Sequence, residues 1–310
     1  MPKGKFAVIG AGVSGLAAAR ALRDRGHDVA VFERASHVGG RVGTRVLTSI
    51  ELPKGLSGEV AFDHGAQYFT VRDPRFSELA AEWERDRIIA KWTGRIVSFD
   101  GEGWEDVDAG TNRYVGIPGM NAIARAMAVG LDVRLGERIE SPESILQSFD
   151  RVIVATPPAN TAAVSMKPCW TVMAAFAERV TARFDAAFVN GSALSWIARN
   201  SSKPKRNWQI DTWVLHASTA WSQAHLDDQA DDVGAFLMEA FEDLIPAGLP
   251  RAFYATVHRW RYATADPPLA VGALQHPGSK IILCGDWCKG SRIEDAFLSG
   301  VAAATLIPDP

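Results

Sequence analysis

An apolar run at the start of the chain leads into a glycine-rich turn. Residues 6–9, Phe-Ala-Val-Ile, have the aromatic and β-branched character of a buried strand, and Gly-Ala-Gly-Val-Ser-Gly follows at 10–15. The stretch 16–22, rich in alanine and leucine, predicts a helix. A second apolar run, residues 28–32, predicts another strand. The pattern therefore predicts a β-α-β unit at the N-terminus.

The spacing of the three glycines is that of a dinucleotide-binding turn. Gly10 permits a tight turn, Gly12 lets a pyrophosphate approach the backbone, and Gly15 lets helix and strand pack closely. Backbone N–H groups at the helix start, around Val13 and Ser14, then face the phosphates together with the positive end of the helix dipole.

An acidic residue closes the second predicted strand. Glu33 lies about 20 residues beyond the glycines, where a carboxylate hydrogen-bonds the ribose of a dinucleotide. We expect Arg34 to contribute to the same site. A glycine-rich turn without a ligand would explain the first motif alone, but not its combination with strand, helix and acid. The sequence therefore predicts dinucleotide binding.

The second half of the chain has a different pattern. Residues 74–90 have apolar positions at helical spacing, and residues 151–154 form a short apolar run typical of a buried parallel strand. From residue 170 onward, β-rich segments predict an antiparallel sheet interrupted by helices. The predicted strands are 170–177, 193–199, 212–217 and 252–260, and the predicted helices are 219–226 and 231–244.

Composition excludes several classes of protein. At 310 residues the chain can bury one large core or two modest ones, and its net charge of −3 gives no sign of a nucleic-acid partner. Three cysteines argue against a disulfide framework and suit the reducing cytoplasm. We expect no signal peptide, since the first predicted strand begins directly after residues 1–5. We expect no membrane span, since no apolar stretch approaches about 18 residues. The histidines show no paired metal-ligand spacing, so we expect no metal.

A second glycine-rich turn, Gly39-Gly40-Arg41, follows the predicted βαβ unit. Here the chain resembles the FAD-dependent oxidoreductases of the glutathione-reductase-like fold, in the branch of amine oxidases, phytoene desaturases and protoporphyrinogen oxidase. In that branch the turn lies along the FAD pyrophosphate, which implies Gly40 and Arg41 as cofactor contacts. A guanidinium offers a planar fork of donors for this purpose. A surface turn would be the interpretation of these three residues in isolation.

The segment Asp63-His64-Gly65-Ala66-Gln67-Tyr68 resembles the renalase group of the same superfamily. The resemblance implies that Ala66, Gln67 and Tyr68 lie beside the isoalloxazine. An amide can hydrogen-bond the pyrimidine edge of the flavin, and a phenol ring can cover one of its faces. Without the flanking motifs, a buried tyrosine at a strand end would be the default interpretation.

The end of the chain carries the second motif of FAD proteins of this fold, a strand, a Gly285-Asp286 turn and a helix. The resemblance implies that Asp286 meets the ribityl or phosphate part of FAD. The helix start at Ile293-Glu294 would point at flavin N1 and the C2 carbonyl, where its positive end stabilises the reduced flavin anion. Ile139 falls where the family covers the adenine.

The resemblance extends over nearly the whole chain and implies an α/β fold. A Rossmann-like FAD-binding domain of the GR2 type, with p-hydroxybenzoate-hydroxylase-like topology, is interleaved with a substrate domain of mainly antiparallel β-sheet plus helices. The connector between residues 139 and 151 is shorter than the family's usual β-meander. The expected FAD-binding domain comprises residues 1–73, 114–158 and 277–310, and the expected substrate-binding domain comprises residues 74–113 and 159–276.

Carried over, the resemblance implies a non-covalent FAD oxidase acting on 2- or 6-dihydro isomers of NAD(P). Such an enzyme moves a hydride to flavin N5 and reduces O2 to H2O2, which requires no acid or base. One alternative is an amine oxidase or desaturase-like oxidoreductase, and another is a non-catalytic flavoprotein. A plain NAD-binding module leaves Gly39-Gly40-Arg41 and Gly285-Asp286 unexplained.

The substrate pocket is the least specified part of the sequence. The basic segment 200–206, Asn-Ser-Ser-Lys-Pro-Lys-Arg, is either a solvated turn or a clamp for substrate phosphates. For each individual pocket candidate, a core or surface role is equally compatible with the sequence. The candidates are Tyr68, Arg199, Trp221, His258 and Trp260.

Overall fold

The computed structural model describes residues 3–107, 110–158, 164–275 and 277–308. Its helices are α1 (Val13–Asp24), α2 (Pro74–Arg85), α3 (Ala122–Ala128), α4 (Thr219–Ala224), α5 (Ala230–Glu242) and α6 (Ile293–Thr305). Its strands are β1 (Lys5–Ile9), β2 (Asp28–Glu33), β3 (Thr44–Leu47), β4 (Val60–Asp63), β5 (Ile89–Lys91), β6 (Ile96–Phe99), β7 (Trp104–Asp106), β8 (Tyr114–Gly116), β9 (Asp132–Leu135), β10 (Arg151–Val154), β11 (Met166–Phe176), β12 (Ala186–Val189), β13 (Leu194–Arg199), β14 (Asp211–Ala217), β15 (Ala252–Ala265), β16 (Leu274–Gln275) and β17 (Ile281–Leu283).

The first sheet has the strand order β16-β17-β10-β1-β2-β9. Its pairings are parallel except at the edge, where β16 runs antiparallel to β17. This α/β arrangement around β1 is Rossmann-like, as the N-terminal pattern predicts. Strand β16 pairs into this sheet although it lies within the range expected for the substrate domain. The expected boundary between residues 158 and 159 borders residues 159–163, which lie outside the described part of the chain.

Helices α1 and α6 pack together on one face of this sheet, and their backbones come unusually close. A Cβ atom at Gly300 of α6 would lie 2.1 Å from the Ser14 carbonyl oxygen of α1. A Cβ atom at Gly15 would lie 1.9 Å from the Gly10 carbonyl oxygen. Both glycines are therefore required by close packing, because no side chain fits where they stand.

The second sheet has the order β15-β11-β14-β13-β12-β6-β7 and is antiparallel apart from the β6–β12 pair. Helices α4 and α5 cover one face, where Trp170 and Trp213 of the sheet pack in the same apolar cluster as Leu237 and Phe241 of α5. The opposite face meets β4 and the loop that follows it. The predicted strands are present with shifted ends, whereas the sequence patterns did not predict β12.

We predict that Gly300→Ala lowers the free energy of unfolding by about 1–3 kcal/mol, because the added methyl group meets fixed backbone rather than a movable side chain. Urea unfolding of the apoprotein measures this change. Gly103→Ala is the matched control, since a Cβ atom there would have no neighbour within 4 Å. Equal stability losses in the two variants would contradict the packing argument.

Candidate active site

The two glycine-rich turns lie side by side and enclose an open cleft. Gly10 has a φ of +104° and Gly39 a φ of +126°, conformations that favour glycine. The Gly39 N–H donates to the Ala11 carbonyl oxygen at 2.9 Å, which joins the turns. A Cβ atom at Gly12 would meet nothing within 4 Å, and one at Gly40 would meet only the Gly12 Cα at 3.8 Å. The cleft can therefore admit a pyrophosphate against the backbone.

The first turn of α1 presents backbone rather than side chains. Val13 is buried, and the Ser14 hydroxyl donates to the Cys284 Sγ at 3.1 Å. Burial raises the pKa of the Cys284 thiol to about 12, so this sulfur stays protonated. The three cysteines of the described chain are free. Val13 and Ser14 can thus serve a phosphate only through their N–H groups.

Glu33 is held in a fixed orientation at the end of β2. One carboxylate oxygen accepts from the Ala11 N–H at 2.8 Å and the other from the Ala35 N–H at 2.9 Å. Each oxygen keeps acceptor capacity for a ribose hydroxyl. Arg34 beside it is exposed, and Ile139 packs against the apolar cluster that includes the end of β2.

Arg41 and Asp286, predicted separately as cofactor residues, contact each other. The Arg41 Nη1 and Nη2 donate to the two Asp286 carboxylate oxygens at 2.8 Å and 2.5 Å. Nη1 also donates to the Ala263 carbonyl oxygen of β15 at 2.8 Å. This bidentate pair joins the N-terminal and C-terminal motifs, and the guanidinium keeps further donors for a phosphate oxygen.

The start of α6 is anchored by its own acidic residue. The buried Glu294 Oε1 accepts from the Arg72 and Asp73 N–H groups, both at 2.7 Å. Ile293 is also buried, and the N-cap residue Arg292 provides no side-chain cap. The Glu294 carboxylate therefore positions the helix, and the helix end contributes its backbone N–H groups and dipole.

Asp63, at the end of β4, is a fully buried carboxylate with several donors. It accepts from the Arg206 Nη2 at 2.7 Å, the Thr44 hydroxyl at 2.8 Å, the Met120 N–H at 2.9 Å and the Lys203 Nζ at 3.2 Å. Burial alone would raise the pKa of Asp63, but the charges of Lys203 and Arg206 outweigh it and hold the pKa far below its usual range.

For Lys203 and Arg206 this network corrects the interpretation of segment 200–206 as a solvated turn or a phosphate clamp, whereas Lys205 between them is exposed. Lys203 is 2% exposed, and burial lowers its pKa to about 8 despite the opposing charge of Asp63. Its ammonium group also donates to the Gln67 Oε1 at 3.2 Å and the Asn200 Oδ1 at 3.0 Å. Lys203 and Arg206 thus hold this segment against the end of β4, because the buried Asp63 carboxylate requires positive charges nearby.

The same network uses the amide of Gln67. Its Nε2 donates to the carbonyl oxygens of Asp63 and Gly65, and its Oε1 accepts from Lys203. The expectation that this amide hydrogen-bonds the flavin edge does not match these partners. Ala66, whose N–H donates to the Arg41 carbonyl oxygen at 2.9 Å, links this loop to the second glycine-rich turn.

Tyr68 lies in a group of aromatic rings. Its ring centroid is 5.6 Å from that of Trp196 and 6.4 Å from that of Trp92, and the Arg113 guanidinium lies 5.5 Å from it. The Trp196 indole N–H is buried and has no hydrogen-bond partner among the described residues. Sequence reasoning missed Trp92 and Trp196, whose only signal was the high tryptophan content.

A row of side chains crosses the second sheet on the face toward the loop after β4, residues 64–68. His258 of β15 pairs with Thr171, Thr171 with His216, and His216 with Trp196, and directly paired residues share a face. The His216 Nε2 lies 3.3 Å from the His64 carbonyl oxygen, so the row contacts the loop after β4.

His64 is enclosed by two residues of β15. Its ring stacks on Trp260 with centroids 5.0 Å apart and meets the edge of His258 at 5.0 Å. The Trp260 Nε1 donates to the His64 carbonyl oxygen at 3.1 Å. The predicted pocket residues His258 and Trp260 therefore border the loop 64–68, which carries the predicted Tyr68. His64 of the same loop was not predicted from the sequence.

The histidines of this region are held neutral. Burial, with the charges of His258 and Arg45, lowers the pKa of His64 to about 4. Burial lowers the pKa of His216 to about 4, and burial and Arg45 lower the pKa of His258. At neutral pH these imidazoles are therefore uncharged hydrogen-bonding rings.

Two predicted pocket residues lie elsewhere. Arg199 is 1% exposed, pairs with Asp211 at 2.5 Å and lies over the Trp213 ring, on the helix-covered face of the sheet. Strand alternation places it opposite Trp196. Trp221 is on α4, stacked on His225 and packed in the apolar cluster of the covered face. Both corrections have the same cause, because the sequence did not show which face of the second sheet meets β4 and the loop after it.

Comparison with known proteins defines the class. Residues 8–83 match the family model of an NAD(P)-binding Rossmann-like domain, and residues 101–308 match that of flavin containing amine oxidoreductase. The second match covers about two thirds of the chain, so the protein belongs to the flavin containing amine oxidoreductase family. It is an FAD-dependent oxidoreductase, which confirms the predicted cofactor and enzyme class.

Individual relatives agree with this class. The chain is 44% identical over 82 residues to the L-glutamate oxidase precursor of Streptomyces diastatochromogenes, which is 25% of this chain and 11% of that protein. The chain thus spans about a tenth of the length of that relative. The fold is similar to cyclohexylamine oxidase from Brevibacterium oxydans (TM-score 0.69, 13% identity, 98% of both chains) and to putrescine oxidase (TM-score 0.65, 14% identity, 98% of both chains).

The residues present fit FAD. The open backbone at Gly12 and Gly40, the oriented Glu33 carboxylate and the remaining donors of Arg41 match a pyrophosphate and a ribose. Within the described ranges, no group of three or more His, Cys, Asp or Glu side chains could hold a metal ion. No helix in those ranges is long and apolar enough to span a membrane.

We predict that Gly12→Ala weakens FAD binding at least about tenfold, because the methyl group projects into the cleft where the pyrophosphate must lie. The apoprotein should keep its free energy of unfolding within about 0.5 kcal/mol, since that Cβ meets no protein atom. Fluorescence titration with FAD and urea unfolding give the two values. An unchanged FAD affinity would contradict the placement of the pyrophosphate.

Stability should fall in mild acid. In the folded protein the pKa values of His64 and His216 are about 4, below the ordinary 6.5, so the unfolded chain binds more protons between pH 6.5 and pH 4. The unfolding free energy is then lost as pH falls through this window, at about 1.4 kcal/mol per pH unit for each histidine.

Urea unfolding at several pH values measures this slope. His216→Gln should reduce it by about one proton, and His37→Gln, at an exposed position, is the matched control. A wild-type slope in His216→Gln would show that His216 is not held neutral.

Proposed function

We propose that the protein oxidises 2- or 6-dihydro isomers of NAD(P) to NAD(P)+ and passes the electrons to O2. Bound FAD would supply the hydride acceptor and the two-electron reductant of O2, and one proton from solvent would complete H2O2. We assign the binding of FAD to the cleft and its flanking residues, which are Gly10, Gly12, Val13, Ser14, Gly15, Glu33, Arg34, Gly40, Arg41, Ile139, Gly285, Asp286 and the α6 start at Ile293-Glu294.

The observation that carries this proposal is the charge of the site. The carboxylate nearest to the loop 64–68, Asp63, is neutralised by Lys203 and Arg206, and the surrounding imidazoles are uncharged. Arg45 adds an uncompensated positive charge that acts on His64 and His258. The described residues around this loop offer an ammonium substrate no anionic partner, whereas a neutral dihydronicotinamide with a phosphate tail suits both the rings and the charge.

The side chains of the site need only bind and orient such a substrate. Tyr68 and Trp260 provide ring surface for a planar nicotinamide, and His258 provides a neutral hydrogen-bonding edge. Hydride transfer moves no separate proton, so the lowered pKa values of the histidines do not impede it. Orientation of the donor carbon is the contribution required from the protein.

A second candidate is oxidation of a neutral amine. The aromatic group formed by Tyr68, Trp92 and Trp196 favours it, since such rings can enclose the uncharged part of an amine. Family membership is compatible with both candidates.

Anaerobic mixing of the FAD-loaded protein with 2- and 6-dihydroNAD(P) tests the proposal. We expect the flavin absorbance to bleach within seconds, with H2O2 formed when air is readmitted and NAD(P)+ as the product. Ordinary 4-dihydroNAD(P) and a set of primary and secondary amines are the controls. Bleaching by an amine and not by any dihydronicotinamide would refute the proposal in favour of the second candidate.

A further inference from the structure

Arg45 differs from the other arginines near the site. Among the described residues its guanidinium has no hydrogen bond or ion pair, although the side chain is partly buried. Arg41 is paired with Asp286, and Arg206 with Asp63. An unpaired and partly desolvated guanidinium is costly unless a ligand meets it.

Strand register places Arg45 next to the histidines. Arg45 of β3 pairs with Phe62 of β4, so both side chains lie on one face of this hairpin. Phe62 stacks on Tyr254 of β15 with centroids 6.1 Å apart, and His64, two residues further, meets His258 at 5.0 Å. The face that carries Arg45 is therefore the face that meets β15.

His258 offers a second free group at this place. Its imidazole has no hydrogen bond among the described residues and is only partly buried. Its ring contacts are to His64 and, at 4.3 Å between centroids, to Trp260. A neutral imidazole keeps one N–H donor, so Arg45 and His258 together present donors to one small ligand.

The donors of Arg45 and His258 favour an oxyanion as the ligand. The guanidinium fork matches two oxygens of a phosphate, and the imidazole N–H can donate to one of them. Lys203 and Arg206 of the basic segment 200–206 cannot take this role, because both are bound to Asp63. The positive charge of Arg45 also lowers the pKa of both imidazoles, as expected when no anion balances it.

We propose that Arg45, assisted by His258, binds a phosphate group of the dinucleotide substrate. This assignment rests on the proposed function. It makes Arg45 the specificity-determining residue that separates phosphate-bearing dihydronicotinamides from the phosphate-free riboside. The nicotinamide end of the same molecule then reaches the ring surface around Trp260 and Tyr68.

Calorimetric titration of the FAD-saturated protein with ADP-ribose tests the site without any redox reaction. ADP-ribose carries the phosphates of the substrate and no hydride. We expect Arg45→Gln to raise the dissociation constant about tenfold or more, and Arg45→Lys to raise it less, because lysine keeps the charge but not the fork. Arg95→Gln is the matched control, since Arg95 is exposed and paired with Asp106.

A kinetic comparison gives a second readout. With dihydronicotinamide mononucleotide, Arg45→Gln should raise KM about tenfold with little change in kcat, and with the phosphate-free riboside it should change neither. Arg45→Gln and Arg45→Lys must both retain the wild-type FAD content and free energy of unfolding, which excludes a general folding defect.

Each contrary result has a defined meaning. ADP-ribose binding that is unchanged in Arg45→Gln, or weakened equally in Arg95→Gln, overturns the site while bleaching by dihydronicotinamides still supports the proposed function. Displacement of ADP-ribose by L-glutamate but not by inorganic phosphate assigns Arg45 to a substrate carboxylate and overturns the phosphate assignment. Arginine-dependent ADP-ribose binding in a protein that no dihydronicotinamide bleaches refutes the proposed function alone.

Discussion

The buried carboxylate of Asp63 is the constraint on which the rest of the site depends. A charge taken out of water must be compensated by nearby donors, and here Lys203 and Arg206, from the segment between β13 and β14, supply that compensation. Because Lys203 also donates to Gln67, the position of the loop that carries Tyr68 is fixed by the same contacts. The contacts that hold segment 200–206 against β4 therefore also shape the loop 64–68, and a partly formed network would be worse than none.

The electrostatics of the site follow from this arrangement. The negative charge of Asp63 is balanced by Lys203 and Arg206, so the surfaces facing the loop 64–68 include aromatic rings, neutral imidazoles and the unpaired Arg45. Such an environment disfavours cations and admits neutral or anionic molecules. Membership of the family defines the cofactor and the class of reaction, and under the proposed function the residues around the loop 64–68 select the substrate.

The sequence predicted what depends on local pattern. The glycine spacing and Glu33 form a local sequence motif, and the strands of the second sheet follow from the pattern of β-prone residues. Both could therefore be predicted without knowledge of the three-dimensional structure. The role of Lys203 could not, because a basic segment in isolation resembles a solvated turn and its partner Asp63 lies 140 residues earlier. The prediction of Arg199 and Trp221 as pocket residues was wrong for a related reason. Periodicity shows that a strand has two faces, but it does not show which face of the second sheet meets β4 and the loop after it.

The first sheet draws its strands from distant parts of the chain. Strands β1 and β2 lie near the start of the chain, whereas β17, the turn with Asp286 that follows it, and helix α6 with Glu294 come more than 240 residues later. During synthesis on a ribosome, the early βαβ unit emerges long before the segments that complete its sheet and bury its first helix. The residues to which we assign FAD binding therefore come together only after the C-terminal segments have been synthesised, so complete binding of the cofactor follows the end of synthesis.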